Sequence, residues 1–160
     1  MDGAKHSWLW AAAIAATLLA AGTVMRAADA QGTTGVATTD RPATIRIEPP
    51  SRAADTLIDI GVRAFKPPST GTVDVIVTLM GPSGVEQEVG RFGIFPVEPF
   101  SAKNAREERT FRLDATTALA ALKGEKGPLT VKVQLVPIGP GARTTGAQLT
   151  VGDVKFSPRL

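Results

Sequence analysis

Short segments of alternating apolar and polar residues dominate the chain from Ala43 to Phe156. Such a period of two is typical of strands that bury one face, and these segments are rich in β-branched residues. Their number and spacing predict an all-β fold, an antiparallel β-sandwich of seven or eight strands over residues 43–158. The alternating segments begin near Ile45, Ile58, Val73, Val85, Phe111, Leu129 and Leu149.

Glycine and proline separate these segments. Gly81-Pro82-Ser83-Gly84 has the length of a hairpin turn between two strands. The parity of the apolar positions changes at Gly90-Arg91 and again at Gly152-Asp153. We therefore expect a β-bulge near Gly90-Arg91, because one extra residue reverses the faces of a strand.

One segment departs from the alternation and predicts a short helix over residues 114–123. Asp114 suits the N-cap, because its carboxylate can accept hydrogen bonds from the free amides of the first turn. Gly124 suits a left-handed residue that ends the helix. The apolar stripe consists of Ala115, Ala118, Leu119 and Leu122.

Residues 1–30 have the pattern of an export signal. Lys5 and His6 precede an apolar run that extends to Met25, and Ala28 and Ala30 supply the small residues that a signal peptidase requires. The pattern predicts cleavage before Gln31, a periplasmic or secreted domain, and no membrane span after cleavage. The alternative is an uncleaved anchor. Residues 31–42, which lack apolar periodicity, predict a flexible leader.

Removal of residues 1–30 leaves 130 of the 160 residues, and these contain no His, Cys, Trp or Tyr. Without imidazole or thiol groups, a Ser-His-Asp triad and a His- or Cys-ligated metal site are excluded. The net charge of +3 is small and spread along the chain, and aromatic residues for base stacking are few. The composition therefore predicts a protein that is not an enzyme, uses no cofactor and binds no nucleic acid.

Four segments of the second half resemble the C-terminal β-sandwich domain of tyrosinases and polyphenol oxidases, in order and in spacing. They include two opening strands, a strand that leads into a short helix, and a closing pair of valine-rich strands. The segments are Gly71–Val77, Val89–Phe95, Phe111–Leu119, and Leu129–Pro137 followed by Leu149–Phe156.

In that family the module packs against a helical dicopper domain and can shield its active site. The histidine-bearing helices of the dicopper domain have no counterpart in this sequence. The resemblance therefore implies a non-catalytic accessory module that docks on a tyrosinase-like dicopper oxidase encoded on another chain. The alternative is a stand-alone periplasmic or cell-envelope domain with a binding or structural role.

Phe95, Pro96 and Phe100 are the candidate contact residues for such a partner. They belong to a Phe- and Pro-rich stretch in which Phe92 is expected to join the core. The functional interpretation is that these residues form a partly exposed apolar surface that contacts another protein. The alternative is that these residues merely close one end of the sandwich.

Two patterns of charged residues each allow a functional and a structural interpretation. Glu86 and Glu88 lie two apart on one strand, where paired carboxylates could perform acid–base chemistry, but a solvated face is expected. A basic residue recurs every third position and could bind an anionic partner, but a solvated edge or loop is expected because acidic residues interrupt the series. The basic series consists of Lys103, Arg106, Arg109 and Arg112.

Overall fold

The computed structural model describes residues 35–139 and 141–159. The predicted signal peptide, the first four residues of the predicted leader and the predicted cleavage site lie outside these residues.

The described residues form nine strands in two antiparallel sheets, which confirms the predicted all-β sandwich. The five-stranded sheet has the order β1-β9-β3-β6, with β7 also paired to β3, and the four-stranded sheet has the order β2-β8-β4-β5. The strands are β1 (Gly35–Thr38), β2 (Ala43–Ile47), β3 (Leu57–Lys66), β4 (Val73–Met80), β5 (Glu86–Phe92), β6 (Phe100–Ser101), β7 (Arg109–Asp114), β8 (Leu129–Pro137) and β9 (Gln148–Ser157).

Branched aliphatic side chains fill the space between the sheets, as the alternation predicts. Because successive side chains of a strand point to opposite faces, Ile58, Ile60 and Val62 face inward while Asp59 and Gly61 lie on the outer face. The largest fully buried side chains are Ile45, Ile58, Ile60, Leu79, Leu135 and Leu149, with six valines between them.

The prediction of a flexible leader is wrong for residues 35–38. These residues form β1, which pairs with residues 148–151 of β9 and buries Ala37 completely. A Cβ atom on Gly35 would lie 2.8 Å from the Cβ of Ala43, so β1 approaches β2 closely at this point. Four residues are too few to show a period of two, which is why the sequence pattern does not reveal this strand.

The helix α1 spans Thr116–Ala121 and is shorter than the predicted 114–123. Asp114 remains in β7, paired with Leu57, and Ala115 occupies the N-cap. The Asp114 carboxylate nevertheless accepts a hydrogen bond from the amide of Thr116 at 3.0 Å, which is the interaction expected of it. Gly124 has a φ of 108° and ends this region in the left-handed conformation, as predicted.

The predicted β-bulge near Gly90-Arg91 exists and lies a residue earlier than expected. Thr78 pairs with Glu88 and Val77 with Gly90, so Val89 is the extra residue of β5. In β9, Gly152 and Asp153 together oppose Gly61, at the place where the apolar positions change parity. The hairpin turn after β4 also forms, closed by a 2.9 Å hydrogen bond from the amide of Gly84 to the carbonyl of Gly81.

Strands β6 and β7 lie along the same edge of β3, with seven residues between them. Phe100 pairs with Phe65 and Arg109 pairs with Val62. Residues 102–108 leave the line of the strand and contain a short 3-10 turn, Ala105–Glu107. This excursion brings the Glu108 carboxylate over Gly61 and Gly152 on the outer face of the five-stranded sheet.

Candidate protein-contact site

An exposed apolar loop, residues 93–99, connects β5 to β6. Ile94 is buried and anchors the loop to the core. The next side chain, Phe95, is 87% exposed, and Val97 is 51% exposed. Pro96 and Pro99 are also at the surface. We call residues 93–99 the apolar loop.

Phenylalanines precede and follow this loop in the chain, on the side of the sandwich where β5 and β7 contact each other. Phe92 of β5 stacks on Phe111 of β7, with ring centroids 4.1 Å apart and planes inclined by 15°. The prediction that Phe92 joins the core is confirmed, since it packs against the buried cluster. Phe100 points inward because its partner Phe65 is buried.

The Arg109 side chain also points inward, as Phe100 does. Its guanidinium carbon lies 3.9 Å from the centre of the Phe100 ring, a cation–π contact. Arg109 faces inward because it pairs with Val62, which is fully buried. The sequence offers a signal for this placement, since Arg109, Phe111 and Leu113 share one parity in β7.

The three predicted contact residues therefore lie close together in the chain but differ in exposure. Phe95 and Pro96 are at the surface, where a partner could touch them directly. Phe100 is half-buried and supports the loop. The sequence reasoning missed Val97, which adds to the exposed apolar surface, and it missed Arg109, which stacks on Phe100.

Glu86 and Glu88 form a solvated and ion-paired strand face, as expected. Lys132 lies 3.2 Å from Glu86, and Arg91 lies 3.0 Å from Glu88. Hydrogen bonding from Arg91 lowers the pKa of Glu88 below its ordinary value. A carboxylate held ionised in this way is not prepared to donate a proton near neutral pH.

The structure divides the basic series between two faces of the sheet. Lys103 and Arg106 are exposed on the excursion, whereas Arg109 points inward. Arg112 lies on the outer face and donates two hydrogen bonds to Asp59, at 2.6 and 3.0 Å. These bonds lower the pKa of Asp59, although its burial acts in the opposite direction. The series is therefore not a continuous anion-binding surface.

A second ion pair covers the outer face of the five-stranded sheet. Arg63 donates to Glu108 at 2.7 Å, and only 4% of the Glu108 side chain is exposed. The amide of Asp153 approaches the second Glu108 oxygen at 3.4 Å. The buried carboxylates of this face therefore have cationic partners within the chain.

Within residues 35–139 and 141–159, no group of three His, Cys, Asp or Glu side chains is arranged to hold a metal ion. Among these residues, no helix has the length and apolar character needed to cross a membrane. A surface cleft of about 260 Å³ lies between the Pro49-Pro50 turn and the second half of β9, and residues of the apolar loop do not line it.

No protein-family model matches the chain, and no curated protein matches it significantly. Among solved structures, one chain of the infectious bursal disease virus Gt strain is 12% identical, with a TM-score of 0.24. The match covers 79% of this chain and 32% of the viral chain, so this chain spans about a third of that protein's length. A likeness this low carries no argument about fold or function.

Proposed function

We propose that this protein is a non-catalytic exported β-sandwich that binds another protein through the apolar loop. The observation that carries the proposal is Phe95, whose ring is 87% exposed on a loop fixed to the core by Ile94. Burying such a ring in a partner would remove a large apolar area from water, at roughly 25 cal/mol per Å². Aromatic side chains that fill a partner's pocket are frequent hot spots of binding.

The surroundings of Phe95 support a contact surface. Val97 and two prolines extend the apolar area, and the stacked pair of Phe92 and Phe111 holds the base of the loop. A rigid base reduces the ordering cost of binding, which favours affinity. An exposed apolar area with a charged rim is typical of protein-binding surfaces.

For the partner we propose a tyrosinase-like dicopper oxidase encoded on another chain. The support is the ordered resemblance of residues 71–156 to the C-terminal module of that family, together with the lack of imidazole and thiol groups after residue 30. The apolar loop would dock on the helical dicopper domain, and docking there could cover the copper site.

The test is co-expression of the full chain with a tyrosinase-like dicopper oxidase of the same genome, followed by affinity capture and an oxidase assay. We expect the two proteins to co-purify and Phe95→Ser to reduce capture at least about tenfold, as for a hot spot worth 1.4 kcal/mol or more. Val85→Ser is the matched control, because Val85 is 45% exposed in the hairpin turn after β4.

Two outcomes would contradict the proposal in different ways. If the proteins neither co-purify nor change oxidase activity, the oxidase is not the partner, and the stand-alone envelope domain becomes the better hypothesis. If they co-purify but Val85→Ser weakens capture as much as Phe95→Ser, the apolar loop is not the contact site.

A further inference from the structure

The second half of β9 has a strand edge that no other strand in the described part of the chain covers. Strand β1 begins at Gly35, opposite Val151, and pairs only with residues 148–151. On its other side, β9 pairs with β3 as far as Ser157. In an antiparallel strand the backbone groups of alternate residues point to each neighbour. Part of the backbone donors and acceptors of residues 153–157 therefore point away from β3.

A surface cleft of about 260 Å³ lies along this edge. Residues 153–156 all border the cleft, although their side chains alternate between the two faces of the strand. The backbone edge of β9, rather than one of its faces, therefore borders the cleft. Opposite it lie residues 46–51, which include the end of β2, and β2 is the last strand of its sheet. We call the space between residues 46–51 and 153–156 the edge cleft.

The edge cleft has apolar groups toward the core and charged groups toward solvent. Ile47 and Val154 are buried, and Phe156 is half-buried. A strand added here would point alternate side chains toward these apolar groups and toward solvent. The charged residues that line the cleft are Arg46, Glu48, Asp55, Asp153 and Lys155.

The charges of the edge cleft favour a basic side chain in the added strand. The Lys155 ammonium lies 3.3 Å from the Asp153 carboxylate, so these two charges balance each other. Glu48 and Asp55 form no ion pair among the described residues, and Arg46 is the one remaining cation of the lining. The excess charge is therefore negative, which is complementary to a lysine or arginine.

We infer that the edge cleft binds an extended segment of a partner protein by strand addition to β9. The segment continues the line of β1 along residues 153–157 and forms backbone hydrogen bonds with the uncovered edge. It carries an apolar residue toward the core and a lysine or arginine toward Glu48 and Asp55. Strands β1 and β2 end the two sheets on this side, whereas the apolar loop joins β5 to β6 on the other side. The edge cleft is therefore a second site, beyond the proposed function of the apolar loop.

Two other occupants fit these observations less well. Residues 31–34, which precede β1, have the sequence Gln-Gly-Thr-Thr and offer neither an apolar nor a basic side chain. The β9 edge of a second copy would arrive together with that copy's own Pro49-Pro50 turn, since the turn borders the same cleft. A single extended segment brings no such second wall.

The test uses the whole exported chain and a fluorescein-labelled peptide, Thr-Val-Lys-Val-Thr-Val, as the probe. We expect saturable binding by fluorescence anisotropy, and slower hydrogen exchange of backbone amides within residues 153–157 by NMR. The control peptide has the same side chains but N-methyl groups on all its amides, which removes its backbone donors. It should bind at least about tenfold more weakly, as for the loss of two hydrogen bonds.

A charge reversal tests the basic residue of the bound segment. Glu48→Lys should weaken binding of the lysine peptide about threefold and should strengthen binding of a peptide with glutamate at that position. Glu98→Lys is the matched control, because Glu98 is also an exposed glutamate but lies in the apolar loop. Equal effects of the two substitutions would mean that the net charge of the protein, and not the edge cleft, attracts the peptide, and this would overturn the assignment.

Four further outcomes would also overturn it. Absence of binding and of any change in exchange would do so directly. If the N-methylated peptide binds as well as the parent peptide, the mode of binding is not strand addition. If the parent peptide binds only after Thr33→Pro, which removes a backbone donor, the chain's own residues 31–34 fill the edge cleft. If the chain is a dimer that the peptide dissociates, the occupant is a second copy.

Discussion

Two arginines of β7, three residues apart, have opposite environments. Arg112 lies on the outer face of the five-stranded sheet and donates two hydrogen bonds to Asp59. Arg109 lies on the inner side of the same strand, stacked on Phe100, with one donor that has no acceptor among the described residues. Their side chains point apart because positions separated by an odd number of residues face opposite sides of a strand.

The two arginines belong to two regions that differ in whether their charged groups are paired within the chain. On the outer face, Asp59 and Glu108 are buried beside cationic partners, and glycines provide the space for Glu108. In the loop after β5, Phe95 is exposed, and in β7 the Nη1 atom of Arg109 has no hydrogen-bond partner among the described residues. The buried carboxylates of the outer face are therefore paired within the chain, whereas the groups exposed in the loop after β5 are the ones available to the proposed contact surface.

The largest expected effect on stability comes from a steric clash on the outer face of the five-stranded sheet. In Gly152→Ala the added Cβ would lie 2.3 Å from a Glu108 carboxylate oxygen, closer than any stable contact. Moving the carboxylate away would break its bonds to Arg63 and to the amide of Asp153. We expect the free energy of unfolding to fall by about 3 kcal/mol, the cost of overpacking at a buried site. Urea unfolding, monitored by circular dichroism, measures this change in the free energy of unfolding.

A double-mutant cycle identifies Glu108 as the cause. The three nearest atoms to the added Cβ of Gly152 all belong to Glu108, so the substitution should be nearly neutral in a Glu108→Ala background. Gly61→Ala provides the contrast, because its Cβ would also lie 2.9 Å from the carbonyl oxygen of Asp153. Equal rescue of both substitutions by Glu108→Ala would refute this explanation of the two glycines.

The second effect concerns the Asp59–Arg112 pair and depends on pH. Hydrogen bonds from Arg112 lower the pKa of Asp59 in the folded protein, so the pair stabilises the fold above the unfolded-state pKa of about 4. We expect Asp59→Asn to lower the free energy of unfolding by about 2 kcal/mol at neutral pH, as for a charged hydrogen bond.

The pH dependence has a definite sign. As the pH falls below about 4 and through the lowered pKa, Asp59 becomes protonated and its contribution is lost. The unfolding curves of the original chain and of Asp59→Asn should therefore converge toward low pH. A stability difference that stays constant from neutral pH to pH 2 would show that the carboxylate charge is not its source.

The sequence predicts the seven longer strands because their apolar positions alternate over enough residues to be recognised. It does not predict β1 or β6, which have four and two residues and derive their structure from pairing with β9 and β3. It predicts a partly exposed apolar surface in the Phe- and Pro-rich stretch, and Phe95 is exposed there, but it does not separate Phe95 from half-buried Phe100. That difference depends on the pairing of Phe100 with Phe65, a contact between residues far apart in the chain.

The third effect is small and tests the unpaired arginine. Arg109→Met removes a cation–π contact worth roughly 0.5–1 kcal/mol, but it also removes a buried donor that has no acceptor within residues 35–139 and 141–159. We expect the free energy of unfolding to change by less than about 1 kcal/mol. Arg112→Met should be clearly more destabilising, because it leaves the buried carboxylate of Asp59 without its partner. Equal losses in both variants would mean that Arg109 has an ionic role within the fold.

The smallest expected effect on stability is at the centre of the proposed contact site. Phe95 is 87% exposed and contributes little to the core, so Phe95→Ser should change the free energy of unfolding by no more than about 0.5 kcal/mol. Phe92→Ser, three residues earlier, should cost about 3 kcal/mol, because Phe92 stacks on Phe111 between the two sheets. Thermal and urea unfolding of both variants measure the difference. If Phe95→Ser were as destabilising as Phe92→Ser, the ring would be part of the fold, and its exposure would no longer support the proposed contact surface.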